Sequence, residues 1–300
     1  MENKTLDRKK SYWIPLMAAA AGHAIWGLSY LFSRIALQRG ELSLVLSLRF
    51  WIAVALMTVL IPLKKIRVSY KGKKLKPLIV LAATELLCFY FESYGILYTN
   101  ATFAGVVSAV TPVVAILTAI VFLREFPTKR QGLFCVLPVA GVIIMTVSGS
   151  SLGVVQPIGV LCLVCSCLSS AAYKTANRKS AEEFTAFERT YMVLLSCAVI
   201  FTLSALKSVG GDAGTYLAPL TDPAFLGSVL VLGVFSSVGA NMLINYAAGI
   251  LPVVKLSSFG SLTTLCSMFA GIVFLREPIT GGILLGSLLI IVGIRQVTKP

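Results

Sequence analysis

Two carboxylates seven residues apart, Glu85 and Glu92, stand in an otherwise apolar run that begins near Leu78. On a helix that spacing puts both on one face, about 10 Å apart along the axis at about 1.5 Å per residue. A charge inside hydrocarbon is costly unless it meets a partner or water, so such a pair is a default functional site. The pair can bind an ammonium group or take up and release protons. Alternatively, Glu85 bonds a neighbouring helix and Glu92 reaches the outer interface. Lys255 is a third charge of this kind. Either its stem lies in lipid while the ammonium reaches the interface, or it turns inward to attract a carboxylate or phosphate, or to pair with a glutamate in an empty site. Arg49 and Arg189 open apolar runs and read as interface anchors or helix-terminal partners.

Asn241 and Asn245 are four apart and share a helix face, which suits an interhelical hydrogen bond or a substrate contact. His23, Trp26 and Tyr30 form another stripe that can face inward, with Tyr173 as the second-half counterpart of Tyr30. Aromatic side chains at this depth serve packing or a ligand, and a lone histidine serves structure or a proton relay. With Tyr94, these residues make up the candidate substrate-binding and coupling set. Cys162-x-x-Cys165 has the spacing of a thiol pair or half a zinc site, but there is no second such motif and His23 is the only histidine. No metal is therefore expected. An enzyme is not expected either: magnesium-dependent membrane transferases need paired aspartates among the helices, whereas Asp212 and Asp222 share one outer loop. Nor does one histidine beside scattered serines make a proteolytic nucleophile and base.

The elements that must position these residues are membrane helices. Of 300 residues, 57% are hydrophobic and 13% charged, too little polar surface for a soluble globule. Apolar runs of membrane length start near Tyr12, Ser43, Leu78, Ala101, Gly132, Pro157, Thr190, Ala224, Val253 and Ile279, predicting ten spans joined by short loops. Arg8, Lys9, Lys10 and the alanines 18–20 imitate a signal peptide, but the apolar pattern continues to Leu31 and reads as a full span. With the N-terminus inside, 19 of the 26 basic residues, Lys174 among them, fall in cytoplasmic segments, 4 on the opposite side and 3 within spans. Both termini are thus expected in the cytoplasm of a bacterial cell, the chain lying in its cytoplasmic membrane. The net charge of +14 faces lipid head groups rather than nucleic acid. All seven cysteines lie inside predicted spans, which leaves the redox compartment unread.

Ile120 to Glu125 reads Ile-Val-Phe-Leu-Arg-Glu, and Ile272 to Glu277 repeats it 152 residues later. At the same offset Tyr94 matches Tyr246, Thr111 matches Thr263, Thr128 matches Thr280 and Gly141 matches Gly293. The expected fold is an all-α membrane protein of ten transmembrane helices in two inverted five-helix repeats, residues 1–149 and 150–300. An odd unit followed by itself enters the membrane from the opposite side, the arrangement that alternating access exploits. Arg124, Glu125, Arg276 and Glu277 end their helices at the interface as a structural signature. Gly282 and Gly286 favour close helix approach, within the bundle or across a homodimer.

Trp26-Gly27 followed by Ser29, then Arg49-Phe50, Tyr94 to Thr99, Pro112, Leu123-Arg124-Glu125 and its copy Leu275-Arg276-Glu277 carry a family resemblance. The whole chain resembles the drug/metabolite transporter superfamily, in particular its EamA-type branch of ten-span proteins. It departs from that pattern at Thr264, where Pro112 would repeat, and at Lys255, where a small or apolar residue is usual. The resemblance implies export or exchange of a small organic metabolite through a central cavity without a bound cofactor. An amino acid-like compound suits the mixed charges, with protons as a coupling ion. The alternative is a proton-coupled exporter of cationic drugs, which the glutamates allow and Lys255 opposes. A receptor or structural membrane protein has no need of an inverted duplication.

Overall fold

The computed structural model describes residues 2–64, 66, 68–98, 107, 110–149, 156–275 and 280–299. Among these the chain forms ten helical rods. They are α1 Glu2–Leu37, α2 Leu42–Leu63, α3 Lys76–Tyr98, α4 Thr111–Leu123, and α5, made of Lys129–Phe134 and Val136–Gly149. The second half has α6 Pro157–Ser180, α7 Ala186–Ser208, α8 Pro223–Ile250, α9, made of Val253–Ser258 and Gly260–Leu275, and α10 Gly281–Thr298. Seven stretches are long and apolar enough to cross a membrane, within α1, α2, α6, α7, α8, α9 and α10. α3, α4 and α5 fall outside that set; the described part of α4 is short, and α5 is interrupted at Cys135.

Helix starts follow local chemistry. Thr185 and Glu188 form a capping box at α7, and Thr128 and Gln131 form one at α5. Asp222 accepts from the backbone nitrogens of Ala224 and Phe225, with Pro223 in the first turn of α8. Such caps each contribute about 1 kcal/mol. The capping box starts α7 at Ala186, four residues before the run that the sequence places from Thr190. Polar Glu188 and Arg189 break the apolar run but not the helix.

The middle of α8, Leu232–Ala240, is π-helical. Its wider turn leaves carbonyls off the α register, and the Asn241 side-chain amide donates to Ser237 O at 2.9 Å. Outer faces carry Val121, Phe122, Leu203, Phe274 and Leu284, each more than half exposed, as lipid contact requires. Inside, the rings of Phe50, Phe89 and Phe201 join α2, α3 and α7 at centroid separations of 5.8 to 6.2 Å.

Packing repeats between the halves. α3 lies on α6 and α8 on α1; α4 lies on α6 and α9 on α1; α2 faces α7, and α5 faces α10. Exchanging each rod for the one five places on maps this set onto itself. α2 and α7 run antiparallel, since Ser47 bonds Thr202 at 2.7 Å and Thr58 bonds Tyr191 at 3.0 Å. α5 and α10 are antiparallel too. A Cβ on Gly141 would meet Ile290, and one on Gly293 would meet Pro138, positions that differ by the same 152 residues. Corresponding rods that meet antiparallel through reciprocal positions are related by a half-turn perpendicular to their axes. Gly282 packs against Ser148 and Gly286 against Gly141, so the glycine pair serves the α5–α10 contact inside the bundle.

Candidate functional site

α3 and α6 pack antiparallel, with Ser166 Oγ donating to Cys88 O at 3.2 Å and Gly95 closing on Leu163. The α3 face presented there carries Glu85 and Glu92, both partly accessible to water. Across from them α6 presents Lys174, also partly accessible, on the face of buried Ser166 and Cys167. Glu85 lies within electrostatic reach of Glu92, Arg49 and Lys174, and Lys174 within reach of His23. Among the described residues neither carboxylate nor the Lys174 ammonium makes a hydrogen bond or ion pair. Three half-buried charges inside the bundle, unbonded among the described residues, can receive a ligand's charges.

Lys174 corrects the sequence reading, which counts it with the loop cations Arg178 and Lys179. It sits inside α6, about 9 Å before the end at Ser180 at about 1.5 Å per residue. Its ammonium lies 4.0 Å from where a Gly260 Cβ would stand, beside the break in α9. Helical spacing carries the missed signal, since Lys174 is four residues beyond Ser170 and seven beyond Cys167 on the inward face.

Arg49 is no interface anchor. From α2 it donates through Nε to Ser237 Oγ at 3.1 Å and through Nη2 to Ser236 Oγ at 3.4 Å, both on the π-helical turn of α8. Trp26 donates to Ser236 O at 3.3 Å, so α1 reaches the same turn. His23 is buried in the α1–α9 contact, its Nδ1 3.1 Å from Thr263 Oγ1, and the Thr263 hydroxyl donates to His23 O at 3.2 Å. Thr111, the counterpart of Thr263, donates instead to Cys167 on α6.

Asn245 is an interhelical junction. Its Oδ1 accepts from Asn177 Nδ2 at 2.6 Å and its Nδ2 donates to Thr190 Oγ1 at 2.7 Å. Arg189 joins it, donating to Asn245 O at 2.5 Å and to both Asn177 O and Asn177 Oδ1. Asn241 stays within α8. Lys255 is buried in the short first helix of α9 rather than stretched to an interface. Tyr94 is not brought to the carboxylates: it is 40% exposed on the opposite face of α3, its ring 4.7 Å from Tyr90. The Tyr30 side chain, Arg276 and Glu277 lie outside the described residues. Arg124 closes α4 in the left-handed region at φ 57°.

Glu125 links three rods. One oxygen accepts from Arg178 Nε on α6 at 3.0 Å, the other from the backbone nitrogen of Val253 on α9 at 2.9 Å. A cavity of about 190 Å³ adjoins it, lined by Leu123, Glu125, Arg178, Ala181, Glu182 and Gly249. Asp212, like Asp222, caps a helix; the Thr215 hydroxyl and backbone nitrogen hold its carboxyl below the usual range.

The model of a family described as EamA-like transporters matches residues 13–147 and again 157–298. An uncharacterized transporter of Bacillus subtilis, YcxC, is 36% identical over 282 residues, 93% of this chain and 90% of that protein. An uncharacterized transporter of Archaeoglobus fulgidus is 25% identical over 96% of this chain and 98% of its own. A solved crystal structure superposes with a TM-score of 0.75 at 17% identity, covering 93% of this chain and 94% of the other, a likeness of fold.

Proposed function

Since the chain belongs to the EamA-like transporter family, we propose that this membrane transporter is a secondary carrier. It exports or exchanges a small organic metabolite carrying both a cationic and an anionic group, as an amino acid does. The observation that carries this reading is the trio of Glu85, Glu92 and Lys174 inside the bundle, half-buried and without a hydrogen bond or ion pair among the described residues. The carboxylates suit an ammonium group and Lys174 suits a carboxylate, each contact strengthened where water is scarce. With Arg49 the local charges balance, so a zwitterion leaves the site neutral. A purely cationic drug meets two positive groups there, which disfavours the exporter alternative.

In this reading all ten rods cross the membrane and the half-turn axis lies in its plane, so the two halves exchange roles as the site opens to one side and then the other. The basic loop between α2 and α3, with Arg178 and Lys179, marks the cytoplasmic end of a bacterial cytoplasmic membrane protein, both termini on that side.

The test begins with metabolomics of cells and medium, with and without the protein overproduced, to identify the cargo. Its transport is then measured in Glu85→Gln, Glu92→Gln and the double variant, normalised to inserted protein, at pH 6 and pH 8. Each single variant is expected to insert normally and to lose about tenfold or more in transport, the scale of one charged contact. Parental transport by all three variants at both pH values would remove the carboxylates from the site.

A further inference from the structure

A carrier with two carboxylates in its site meets a difficulty when the cargo has left. Returning empty, it must close helices around negative charge with little water to solvate it, which raises the energy of the occluded state. Exchange avoids that step because the site is always loaded; net efflux cannot. Arg49 offsets one carboxylate, but the Ser236 and Ser237 hydroxyls hold its head against α8. Lys174 is differently placed. It lies within electrostatic reach of Glu85 from α6, is half-buried, and has no hydrogen bond or ion pair among the described residues. Its ammonium lies 4.0 Å from the Cβ position of Gly260, beside the break in α9. A lysine stem of four methylenes gives that ammonium rotamer freedom to swing from the α9 break toward Glu85.

We propose that Lys174 is the carrier's resident counter-ion. In the empty state its ammonium moves to Glu85 and neutralises the site for the return step; the cationic end of the cargo displaces it on binding. This rests on the reading of Glu85 and Glu92 as the cargo site. Lys174 therefore governs whether the protein performs net transport or only exchange, in addition to meeting the cargo's carboxylate when the site is loaded.

The experiment uses the full chain in liposomes loaded with a radiolabelled mixture of amino acids. Efflux is compared into buffer without amino acids and into buffer containing the unlabelled mixture. For Lys174→Met, exchange is expected to fall by what the contact to the cargo's carboxylate contributes, and net efflux to fall about tenfold further than exchange, because only net efflux also includes the empty return. A second variant, Lys174→Cys, guards against a folding defect. Modification with a methanethiosulfonate carrying an ethylammonium group should restore net efflux, and the uncharged methyl reagent should not, with the parent treated identically. The counter-ion role is overturned if both modes fall by one factor, if neither falls, if the charged reagent restores no more than the neutral one, or if residue 174 is not labelled. A parent that moves the mixture in neither mode instead defeats the cargo reading, and the counter-ion role with it.

Discussion

Arg189 donates from one terminal nitrogen to Asn177 and from the other to Asn245 O, while its Nε is buried without a partner. No carboxylate balances it among the described residues, so carbonyl and amide oxygens solvate the charge. Charge-assisted hydrogen bonds of this sort are worth about 1.5–3 kcal/mol where buried. In membranes the mean falls to about 0.6 kcal/mol, because the unfolded chain also finds partners. Asn245→Ala removes the acceptor of Asn177 and the donor to Thr190, so stability is expected to fall by about 1–3 kcal/mol with cargo affinity unchanged. Unfolding in detergent and the KM for transport check this; weaker affinity at unchanged stability would make Asn245 a ligand contact. The shared face of Asn241 and Asn245 is legible in the sequence, but their partners are not, since Asn177 and Thr190 come from rods distant in sequence. Lys174 was hidden for the opposite reason. Its neighbours Arg178 and Lys179 draw it into a charge count that ignores which way a helical residue points, whereas its spacing from Cys167 and Ser170 marks the inward face.

At the scale of the rods, α5 and α10 meet through missing side chains. A Cβ on Gly141 would stand 2.6 Å from Gly286 O and 2.9 Å from Ile290 Cγ1, and backbone cannot rotate away as a side chain can. Gly141→Ala is therefore expected to part the two rods and lower stability by about 1–3 kcal/mol, the usual cost of overpacking. Gly132, in the first helix of α5, has no atom within 4 Å of its Cβ position. Gly132→Ala should be neutral or stabilising by up to about 1 kcal/mol through helix propensity. Melting temperatures of the two variants test the contact, and equal effects would contradict it. The rods themselves are legible where apolar runs are long, as in α2 and α6, and the Thr185–Glu188 capping signature marks the start of α7. The π-helical turn of α8 is not legible, because its exposed carbonyls are stabilised by Trp26, which the sequence does not reveal as a neighbour.

Across the whole molecule, the two ends of the bundle are tied unequally, and alternating access requires each to part in turn. At one end Glu125 fastens α4 to α6 and α9, and Lys73 pairs with Glu188 at 2.8 Å beside it. At the other, Arg39 pairs with Asp222 at 3.0 Å, with side chains 37% and 42% exposed. Exposed pairs are worth about 0.2–1 kcal/mol. The Glu125 carboxylate uses both oxygens, one on a guanidinium and one on the first turn of α9, where the helix dipole adds to the attraction. Discounted for partial exposure, it contributes about 1 kcal/mol or somewhat more, enough to hold the populations of the two states about fivefold apart. Glu125→Gln keeps the shape and removes the charge, so the end bearing Arg178 should open more often. The reporter is a cysteine at Ala181, on the wall of the cavity beside Glu125, reacting with a water-soluble maleimide. Its rate is expected to rise about fivefold with Glu125→Gln and by less than about twofold with Arg39→Ala, since the second pair lies at the far end and is weak. If Arg39→Ala opens the reporter as much as Glu125→Gln does, the two ends are not separate gates, and Glu125 is a helix cap with no part in the transport cycle.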